Sequence, residues 1–542
     1  MDSVIVIIIE RSVSPIIVIR QPTTEEERKR APEGERSWVP WVDQELLRVI
    51  MSRGLPIFQA DHGWVSGLPG CPAGWLAALC VWTSKFFVSS CRFIIVRIHS
   101  SHCKGSSGCC VSQRRPKKTR EMDVECINCG SSHSLALVRG KDDAESVVVS
   151  WGRGEDGQLG HGDPEEADRP KAVFALLDHA ISDVHCGAEY SVAVSAQRRE
   201  VYSWGWGDFG RLGHADSADV FVPTPIASLS GRKVSAVACG DTHTLVILEG
   251  GRLVSFGRNQ NGQLGNASTN DCYEPQEVRV VRDEVVTRVA CGAEHSACCT
   301  RDGKVYSWGW GRYGNIGDGD TVDRHEPVRV KGLDGVKIVA VACGWRHTMV
   351  IDDTGSMYTW GWSKYGQLGH GDHVDQPTPK QVESLKGRRM TLLAGGWRHS
   401  LACDDGGTLH SWGWNKFGQL GLGHNEDVNL PAAVKMPDGV RLVTSGWRHS
   451  LAVTSSGRLY AWGRGVNGQL GVGDTEDQNL PVEIRELGVD ASIEKLKSVA
   501  HPISMAAIPA GDRFAIVPSA PADGDAAVPE DDPHHRKRSR RR

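Results

Sequence analysis

Three tetrapeptides in the second half of the chain place an aromatic ring beside a permanent cation. Each reads Gly-Trp-Arg-His, and they span residues 344–347, 396–399 and 446–449. Indole rings absorb ultraviolet light, and an arginine stacked on an indole face is attracted by about 0.5–2 kcal/mol, depending on desolvation. Clustered indoles and arginines could therefore form a network of aromatic and cation–π contacts. Their regular spacing indicates that a repeating fold positions them.

Two independent sequence markers count seven repeats. In the first marker, Gly-x-[Leu/Ile]-Gly, the repeats start at Gly157, Gly210, Gly262, Gly314, Gly366, Gly418 and Gly468. The second marker is a small residue, Gly, two variable residues and then His or Tyr, and it ends at His133, Tyr190, His243, His295, His347, His399 and His449. A period of about 50 residues is typical of propellers and other repeat architectures.

Each repeat carries signals for four short strands. Segments such as 252–257, 304–309 and 458–463 alternate apolar and polar residues and end at a Gly turn. Seven four-stranded units predict an all-β fold, a seven-bladed β-propeller over residues 122–499, in which radial closure leaves only short edges. We expect the last strand, within 480–487, to pair with the first unit and close the ring.

The two ends of the chain lack this repeat. Residues 1–121 show no consistent periodicity, so we expect a disordered extension or an over-long gene model with Met122 as the natural start. The apolar stretch at 73–98 is broken by Lys85 and Arg92, which argues against a membrane span, and the apolar run at 4–9 has no basic segment before it, which argues against a secretory signal. Residues 500–542 predict a flexible tail with one apolar island at 513–518 and a basic end.

Composition argues against several classes of function. Residues 122–499 carry an excess of 11 acidic groups, which disfavours DNA or RNA binding by the propeller, and no DNA-reading motif is present. Cys126 and Cys129 form a lone C-x-x-C without a second pair, so we expect no metal. Five repeats carry Cys before the marker Gly, which indicates a small buried side chain and reduced thiols.

Two segments match the dinucleotide-binding pattern Gly-x-Gly-x-x-Gly, at 152–157 and 205–210. Both lie on the repeated turn and neither opens a helix after a strand, so we expect no nucleotide there. No nucleophile and base pair up outside the repeat background. The sequence therefore predicts no enzyme and no cofactor.

Comparison among the repeats separates residues of the fold from residues that could have a function. After the marker Gly, the first four units carry small or acidic residues at two positions, and only the last three carry Trp-Arg. Equivalent positions of neighbouring blades lie at one height on one face. We therefore expect Trp345, Trp397 and Trp447 to cluster at roughly 4.5–7 Å. Among them lie Arg346, Arg398 and Arg448.

A second position, after the Trp-Gly turn, also breaks the symmetry. It reads Arg153, Trp206, Arg258, Trp310, Trp362, Trp414 and Arg464. Acidic residues flank it in the early units (Glu155, Asp156, Asp208), and basic residues flank it later (Arg312, Lys364, Lys416). A face that is acidic on one side and basic on the other is complementary to itself under a two-fold axis. This pattern predicts a salt-sensitive homodimer.

At these residues the chain resembles a known family. The seven units are similar to regulator-of-chromosome-condensation repeats. The three Gly-Trp-Arg-His motifs, with WGWGDFGRLG at 204–213 and WGWNKFGQL at 412–420, resemble plant UV-B photoreceptors of that family. Phe256 departs from the pattern, because the other six units carry Trp there.

The resemblance implies a UV-B receptor whose tryptophans are the chromophore and whose salt-bridged homodimer separates into monomers in light. It assigns sensing to Trp397 and Trp345, an auxiliary role to Trp447, and a contribution from the partner subunit to Trp206. It also implies that the monomers bind an E3 ubiquitin ligase of the constitutively photomorphogenic type through Val517 and Pro518. The implied ion pairs are Arg398 with Asp208 and Asp219, Arg448 with Asp156, Arg464 with Glu155 and Glu165, and Arg258 with Glu294.

Two alternatives remain open at this point. The founding repeat family implies a guanine-nucleotide exchange factor for a Ran-type GTPase, and a generic propeller scaffold would need no ligand at all. The resemblance also allows negative regulators of the propeller and an association with chromatin. We expect the protein in cytoplasm and nucleus, with the basic C-terminus as a candidate import signal.

Overall fold

The computed structural model describes residues 4–10, 91–97, 122–140, 146–196, 200–278 and 284–487. The chain divides into two compact units, Met1–Lys117 and Lys118–Arg542. In the first unit, strand β1 (Val4–Glu10) pairs antiparallel with β2 (Cys91–Arg97). The rest of the predicted extension, and the whole predicted tail from residue 500, lie outside the described residues.

The second unit contains the predicted seven-bladed β-propeller, and each blade is a four-stranded antiparallel sheet. Gly turns separate the strands, and each blade uses four consecutive strands. The strands are β3 (Met122–Cys129), β4 (His133–Gly140), β5 (Ser146–Gly152) and β6 (Ala167–Ala172) in blade 1; β7 (Ile181–Cys186), β8 (Tyr190–Ser195), β9 (Val201–Gly205) and β10 (Val220–Pro225) in blade 2; β11 (Val234–Cys239), β12 (His243–Leu248), β13 (Leu253–Gly257) and β14 (Cys272–Glu277) in blade 3; β15 (Val286–Cys291), β16 (His295–Thr300), β17 (Val305–Gly309) and β18 (Arg324–Arg329) in blade 4; β19 (Ile338–Cys343), β20 (His347–Asp352), β21 (Met357–Gly361) and β22 (Gln376–Gln381) in blade 5; β23 (Met390–Gly395), β24 (His399–Asp404), β25 (Leu409–Gly413) and β26 (Val428–Ala433) in blade 6; and β27 (Val440–Ser445), β28 (His449–Thr454), β29 (Leu459–Gly463) and β30 (Gln478–Glu483) in blade 7.

The expected pairing of the last strand with the first unit is wrong. Strand β30 pairs with β29 inside blade 7, and blade 1 is completed by its own β6. The ring closes by packing instead, because one apolar cluster includes Val124 and Trp151 of blade 1 with Leu451 and Ile484 of blade 7. Closure therefore buries side chains of the two blades against each other and requires no shared strand.

The first strand of every blade lines a central channel with a volume of about 280 Å³. The predicted small residue before the marker Gly lies here in each blade, and at this position Cys129, Cys186 and Cys343 are buried, whereas Cys239 and Cys291 are half-buried. In blade 6 the position must be Gly395, because an added Cβ would lie 2.5 Å from the backbone nitrogen of Gly344. Blades 5 and 6 thus approach each other closely, next to two of the Trp-Arg motifs.

A belt of side-chain hydrogen bonds joins all seven blades. The last residue of the second marker reaches a Ser or Thr hydroxyl of the next blade, as His347 Nε2 does to Ser400 Oγ at 2.9 Å. Each hydroxyl in turn donates to a backbone carbonyl, as Ser400 does to Gln367 at 2.8 Å. The seven links are His133–Ser191, Tyr190–Thr244, His243–Ser296, His295–Thr348, His347–Ser400, His399–Ser450 and His449–Ser134.

Six tryptophans fill the spaces between blades with no exposed surface: Trp151, Trp204, Trp308, Trp360, Trp412 and Trp462. Each donates its indole N–H to the carbonyl that the belt hydroxyl also uses, as Trp412 does to Gln367 at 2.8 Å. Phe256 takes this place in blade 3 and has no N–H to donate. The carbonyl of Arg211 there accepts only from Thr244 among these groups, at 3.2 Å.

The helices in the described ranges are four 3-10 turns: Phe174–Leu176, Asp208–Gly210, Ala227–Leu229 and Glu383–Leu385. None of the helices within those ranges has the length and apolar character needed to cross a membrane.

Candidate functional site: a tryptophan and arginine cluster

Strand register brings the two asymmetric positions of each repeat together. His347 opposes Gly361 across β20 and β21, and the Trp362 backbone N–H donates to the Arg346 carbonyl at 2.9 Å. The turn that carries Trp345 and Arg346 therefore lies against the turn that carries Trp362. The same register occurs in blades 6 and 7, where His399 and His449 oppose their glycines.

The three predicted tryptophans form one cluster. The Trp345 and Trp397 rings are 5.4 Å apart and meet edge to face at 65°, and Trp397 and Trp447 stack at 5.7 Å and 18°. Trp345 and Trp397 expose only 6 % and 5 % of their surface, whereas Trp447 is half-buried. Trp397 is thus the central ring, and both neighbours lie within the range at which aromatic pairs interact.

The three arginines lie over these rings. The Arg346 Cζ is 3.6 Å from the centre of Trp345, and the Arg398 Cζ is 3.7 Å from that of Trp397. Arg448 lies 4.8 Å from Trp397, the ring of the neighbouring blade. Trp397 is therefore in contact with two guanidinium groups, which concentrates positive charge at the central indole.

Arg398 is itself buried, with 5 % of its surface exposed. Its Nη1 donates to the Tyr365 hydroxyl at 2.8 Å, and the rings of Trp362 and Trp414 lie 5.6 and 5.3 Å from its Cζ. A buried cation surrounded by π faces is stabilised mainly by those faces and by its hydrogen bonds. Any carboxylate that pairs with Arg398 must approach through this aromatic surround.

A second row of rings, at the position after the Trp-Gly turn that also breaks the symmetry of the repeats, completes the cluster. Trp362 contacts Trp345 at 5.6 Å, and Trp414 contacts Trp397 at 5.6 Å. The sequence does carry a signal for this row, because an aromatic residue stands three positions after the turn Trp only in units where that Trp is present. These pairs are Trp206 with Phe209, Trp310 with Tyr313, Trp362 with Tyr365 and Trp414 with Phe417.

Asp241 is a further residue that the sequence prediction missed. It occupies in blade 3 the position that holds Trp in blades 5 to 7, and it exposes 8 % of its surface. Its Oδ1 lies 3.4 Å from the Trp447 indole nitrogen, close enough only for a long hydrogen bond. The available signal was that Asp241 is the one ionisable side chain among the seven repeats at this position.

Trp206 lies apart from this cluster, on blade 2. Its ring is 3.8 Å from the Cζ of Arg211 and 6.5 Å from the ring of Phe209. Arg258 of blade 3 lies 4.9 Å from Phe209 on the same side of the propeller. Blades 2 and 3 therefore carry a smaller group of rings and cations of their own.

The acidic residues of the first blade have partners within the chain. Arg153 contacts the carboxylates of Glu155 at 2.6 Å, Glu189 at 3.0 Å and Asp156 at 3.9 Å. Glu165 is exposed, and its backbone N–H donates to Asp163 at 3.2 Å. Any contact of Glu155 or Asp156 with a second subunit must compete with Arg153.

The other predicted interface residues differ in their surroundings. Arg258 and Glu294 already form an ion pair within one chain, at 3.6 Å. Asp219 Oδ1 accepts from the Gly207 backbone N–H at 2.9 Å, and an Asp makes the same contact in each of blades 3 to 7, so this oxygen serves the fold. Asp208 is half-buried, and Arg464 lies 4.8 Å from the Phe417 ring.

The histidines of the belt are poor candidates for catalysis. Burial lowers the pKa of His133, His243, His295, His347, His399 and His449 to about 3. Each belt hydroxyl donates to a carbonyl, so it must accept the proton of the histidine Nε2. The six imidazoles are therefore neutral and act as structural hydrogen-bond donors.

The cysteines of the C-x-x-C pair face different partners. The Cys126 thiol donates to Asp183 at 3.1 Å, whereas Cys129 lies 3.9 Å from the Ser134 hydroxyl. Burial raises the pKa of Cys126 to about 12, so its thiol is protonated at neutral pH. In the part of the chain that the structure describes, no three His, Cys, Asp or Glu side chains are arranged to bind a metal ion.

The predicted Val517 and Pro518 lie outside the described residues.

The similarity of this chain to known proteins lies in its repeat region. The model of the RCC1-like domain family matches residues 99–339 and 324–508. The ultraviolet-B receptor UVR8 of Arabidopsis thaliana is 51 % identical over 320 residues, which cover 59 % of this chain and 72 % of that protein. The human E3 ubiquitin-protein ligase HERC2 is 37 % identical over 278 residues, which cover 51 % of this chain but 6 % of the ligase.

A solved structure has the same propeller fold as this chain. Prp20p of Saccharomyces cerevisiae superposes with a TM-score of 0.57 at 24 % identity, over 63 % of this chain and 87 % of that protein. At that identity the likeness shows only that the two chains share the propeller. The family match over most of the sequence and the identity to a plant receptor place the chain in the RCC1-like domain family, as a UVR8-like member.

Proposed function

We propose that this protein is a UV-B receptor whose chromophore is the cluster around Trp397. The observation that carries the proposal is the position of Trp397, stacked on Trp447, edge to face with Trp345, and in contact with the guanidiniums of Arg398 and Arg448. A propeller needs none of these groups, because blades 1 to 4 fold with Ser, Ala or Asp in place of the tryptophan. The family relationship to a UV-B receptor supports the same function.

The geometry favours a conversion of light into a change of charge. Rings 5–6 Å apart share excitation, and excited Trp397 can donate an electron to a neighbouring indole, which leaves Trp397 oxidised and the neighbouring ring reduced. Such a transfer weakens the attraction between the ring and the guanidinium, since that attraction depends on the electron-rich face. Arg398 and Arg448 then lose the orientation that their carboxylate partners require.

We propose that the resting protein is a homodimer held through this face. Blades 1 and 2 offer Glu155, Asp156, Glu165, Asp208 and Asp219, and the late blades offer Arg346, Arg398, Arg448 and Arg464. Under a two-fold axis these groups meet, with Trp206 facing the partner's cluster and Arg258 and Glu294 at the margin. Excitation separates the subunits by loosening the arginines.

The released monomer would signal by binding a partner. We propose an E3 ubiquitin ligase of the constitutively photomorphogenic type, held by Val517 and Pro518 in the tail and by the exposed cluster face. We propose that the protein is not an enzyme and that it acts in both the cytoplasm and the nucleus. The basic C-terminus would serve as its nuclear-import signal.

The test is a pair of matched Trp→Phe variants in blade 6. Trp397→Phe removes the central ring, and Trp412→Phe removes a structural ring at the position where blade 3 already carries Phe256. We expect gel filtration to show that both variants remain folded dimers in the dark. UV-B should dissociate Trp412→Phe and leave Trp397→Phe dimeric. An equal response of the two variants would contradict the assignment of Trp397 as sensor.

An exchange factor remains the second candidate, because the RCC1-like family model covers the propeller. That function predicts faster release of GDP from a Ran-type GTPase, in light and dark alike. A stopped-flow measurement with a fluorescent GDP analogue separates the two candidates.

A further inference from the structure

Arg211 is an exception among the seven blades. The equivalent residues elsewhere are amides: Gln158, Gln263, Asn315, Gln367, Gln419 and Gln469. Each of the five glutamines accepts a hydrogen bond from the backbone N–H two residues before it, as Gln367 does from Tyr365 at 3.0 Å. Arginine has no acceptor and cannot make this bond. The turn in blade 2 is altered accordingly, and Phe209 adopts a φ of 64°.

The Arg211 guanidinium is fully buried and makes a different set of contacts. Its Nε donates to the Asp208 carbonyl at 2.9 Å, its Nη1 donates to the Asp241 carbonyl at 3.3 Å, and its Cζ lies 3.8 Å from the Trp206 ring centre. Burial lowers its pKa to about 10, so it remains a cation at neutral pH. Its Nη2 is buried and has no hydrogen-bond partner in the described parts of the chain.

A buried, incompletely bonded cation is a costly choice for stability alone. A glutamine would satisfy the turn, as it does in blades 1, 3, 5, 6 and 7, without desolvating a charge. The arginine supplies instead a flat cationic surface under Trp206 and bonds to the backbones of Asp208 and Asp241. Asp208 belongs to the acidic side of the proposed interface, and the carboxylate of Asp241 lies beside Trp447.

We infer that Arg211 is the positioning residue that fixes the Trp206 ring on the dimer face and connects it, through the Asp241 backbone, to the Trp447 side of the sensing cluster. This inference rests on the proposed function, in which Trp206 faces the partner subunit. It assigns to Arg211 the cation–π role on the early blades that Arg346 and Arg398 have on the late blades. Arg211 itself is too buried to touch a partner.

The test is a double-mutant cycle of Arg211→Gln with Trp206→Leu, which removes the aromatic face but keeps an apolar side chain, and Gln263→Asn is the matched control. Glutamine is the usual residue at this position, so we expect Arg211→Gln to fold with an unchanged or higher melting temperature. In the monomer, the near-UV circular dichroism and the iodide quenching that are assigned to Trp206 by difference should change. The dimer dissociation constant should rise on the order of tenfold, as expected for the loss of a desolvated cation–π contact.

In the Trp206→Leu background, which has no aromatic face at this position, Arg211→Gln should have little further effect on either measurement. Additive effects of the two changes, or a Trp206 signal that is indifferent to Arg211→Gln, would overturn the inference. So would failure of Arg211→Gln to fold, since Arg211 would then support the blade rather than the ring. The monomer measurements need neither dimer nor light, so they judge Arg211 even if the proposed receptor function fails.

Discussion

At the scale of single residues, Trp397 and Arg398 differ from their counterparts in blades 5 and 7. Trp397 is in contact with both other tryptophans of the triad and with two guanidiniums. Arg398 has five aromatic rings within 6 Å of its Cζ, whereas the Cζ of Arg448 lies 4.8 Å from the Trp397 ring and 5.8 Å from the Phe417 ring. The pair therefore forms the centre of the cluster, and Arg448 is better placed to exchange partners.

Replacing these arginines should separate a packing role from an interface role. Arg398→Ala removes a desolvated cation from several π faces, so we expect the monomer's free energy of unfolding to fall by about 2 kcal/mol or more. Arg448→Ala should cost less than about 1 kcal/mol, because its side chain is half-buried. Urea unfolding of the monomer measures both. Equal losses for the two variants would contradict the central position of Arg398.

At the scale of the elements, the repetition of the sequence made the blades predictable, but it did not indicate the contacts between blades. The marker His and Gly gave the correct number of blades and strands, because each unit must satisfy the same turns. The hydrogen-bond belt and the route of ring closure were not predictable, since they depend on which residues of different blades meet. The sequence could indicate that Ser400 follows His399, but not that the Ser400 hydroxyl binds His347 of the preceding blade.

Blade 3 offers a test of the inter-blade contacts. Phe256→Trp should restore an indole N–H opposite the Arg211 carbonyl, as in the six other blades. We expect the free energy of unfolding to rise by about 0.5–1.5 kcal/mol, the usual net value of one such hydrogen bond. The measurement is the midpoint of urea unfolding. A decrease would indicate that blade 3 cannot accommodate the larger ring.

The belt also predicts sensitivity to acid. The pKa of each of the six buried histidines is about 3 in the folded chain, against about 6.5 when unfolded. The unfolded chain therefore binds more protons between these values, so stability is complete above pH 6.5 and falls as the pH decreases toward 3. Thermal melts from pH 7.5 to 4.5 should show a steep decline. His399→Gln should flatten that decline by about one histidine's share, and a melting temperature independent of pH would contradict the neutral belt.

At the scale of the whole molecule, the tryptophans and arginines that break the repeat in the last three blades meet in one cluster. The sequence predicted which residues would cluster there, and the structure confirms the meeting of Trp345, Trp397 and Trp447. The sequence did not predict that Arg153 pairs with Glu155 and Asp156 within one chain. These pairs form because the Arg153 side chain is long enough to contact both carboxylates of blade 1. An arginine of a second subunit that binds Glu155 or Asp156 must therefore displace Arg153.

The central claim is that light absorbed by this cluster separates two subunits. The most direct measurement is gel filtration with light scattering of the purified chain, before and after UV-B, at one low ionic strength. The account predicts a dimer in the dark and a monomer after irradiation, with no added cofactor. A protein that has the same mass before and after irradiation, whether dimer or monomer, would contradict it.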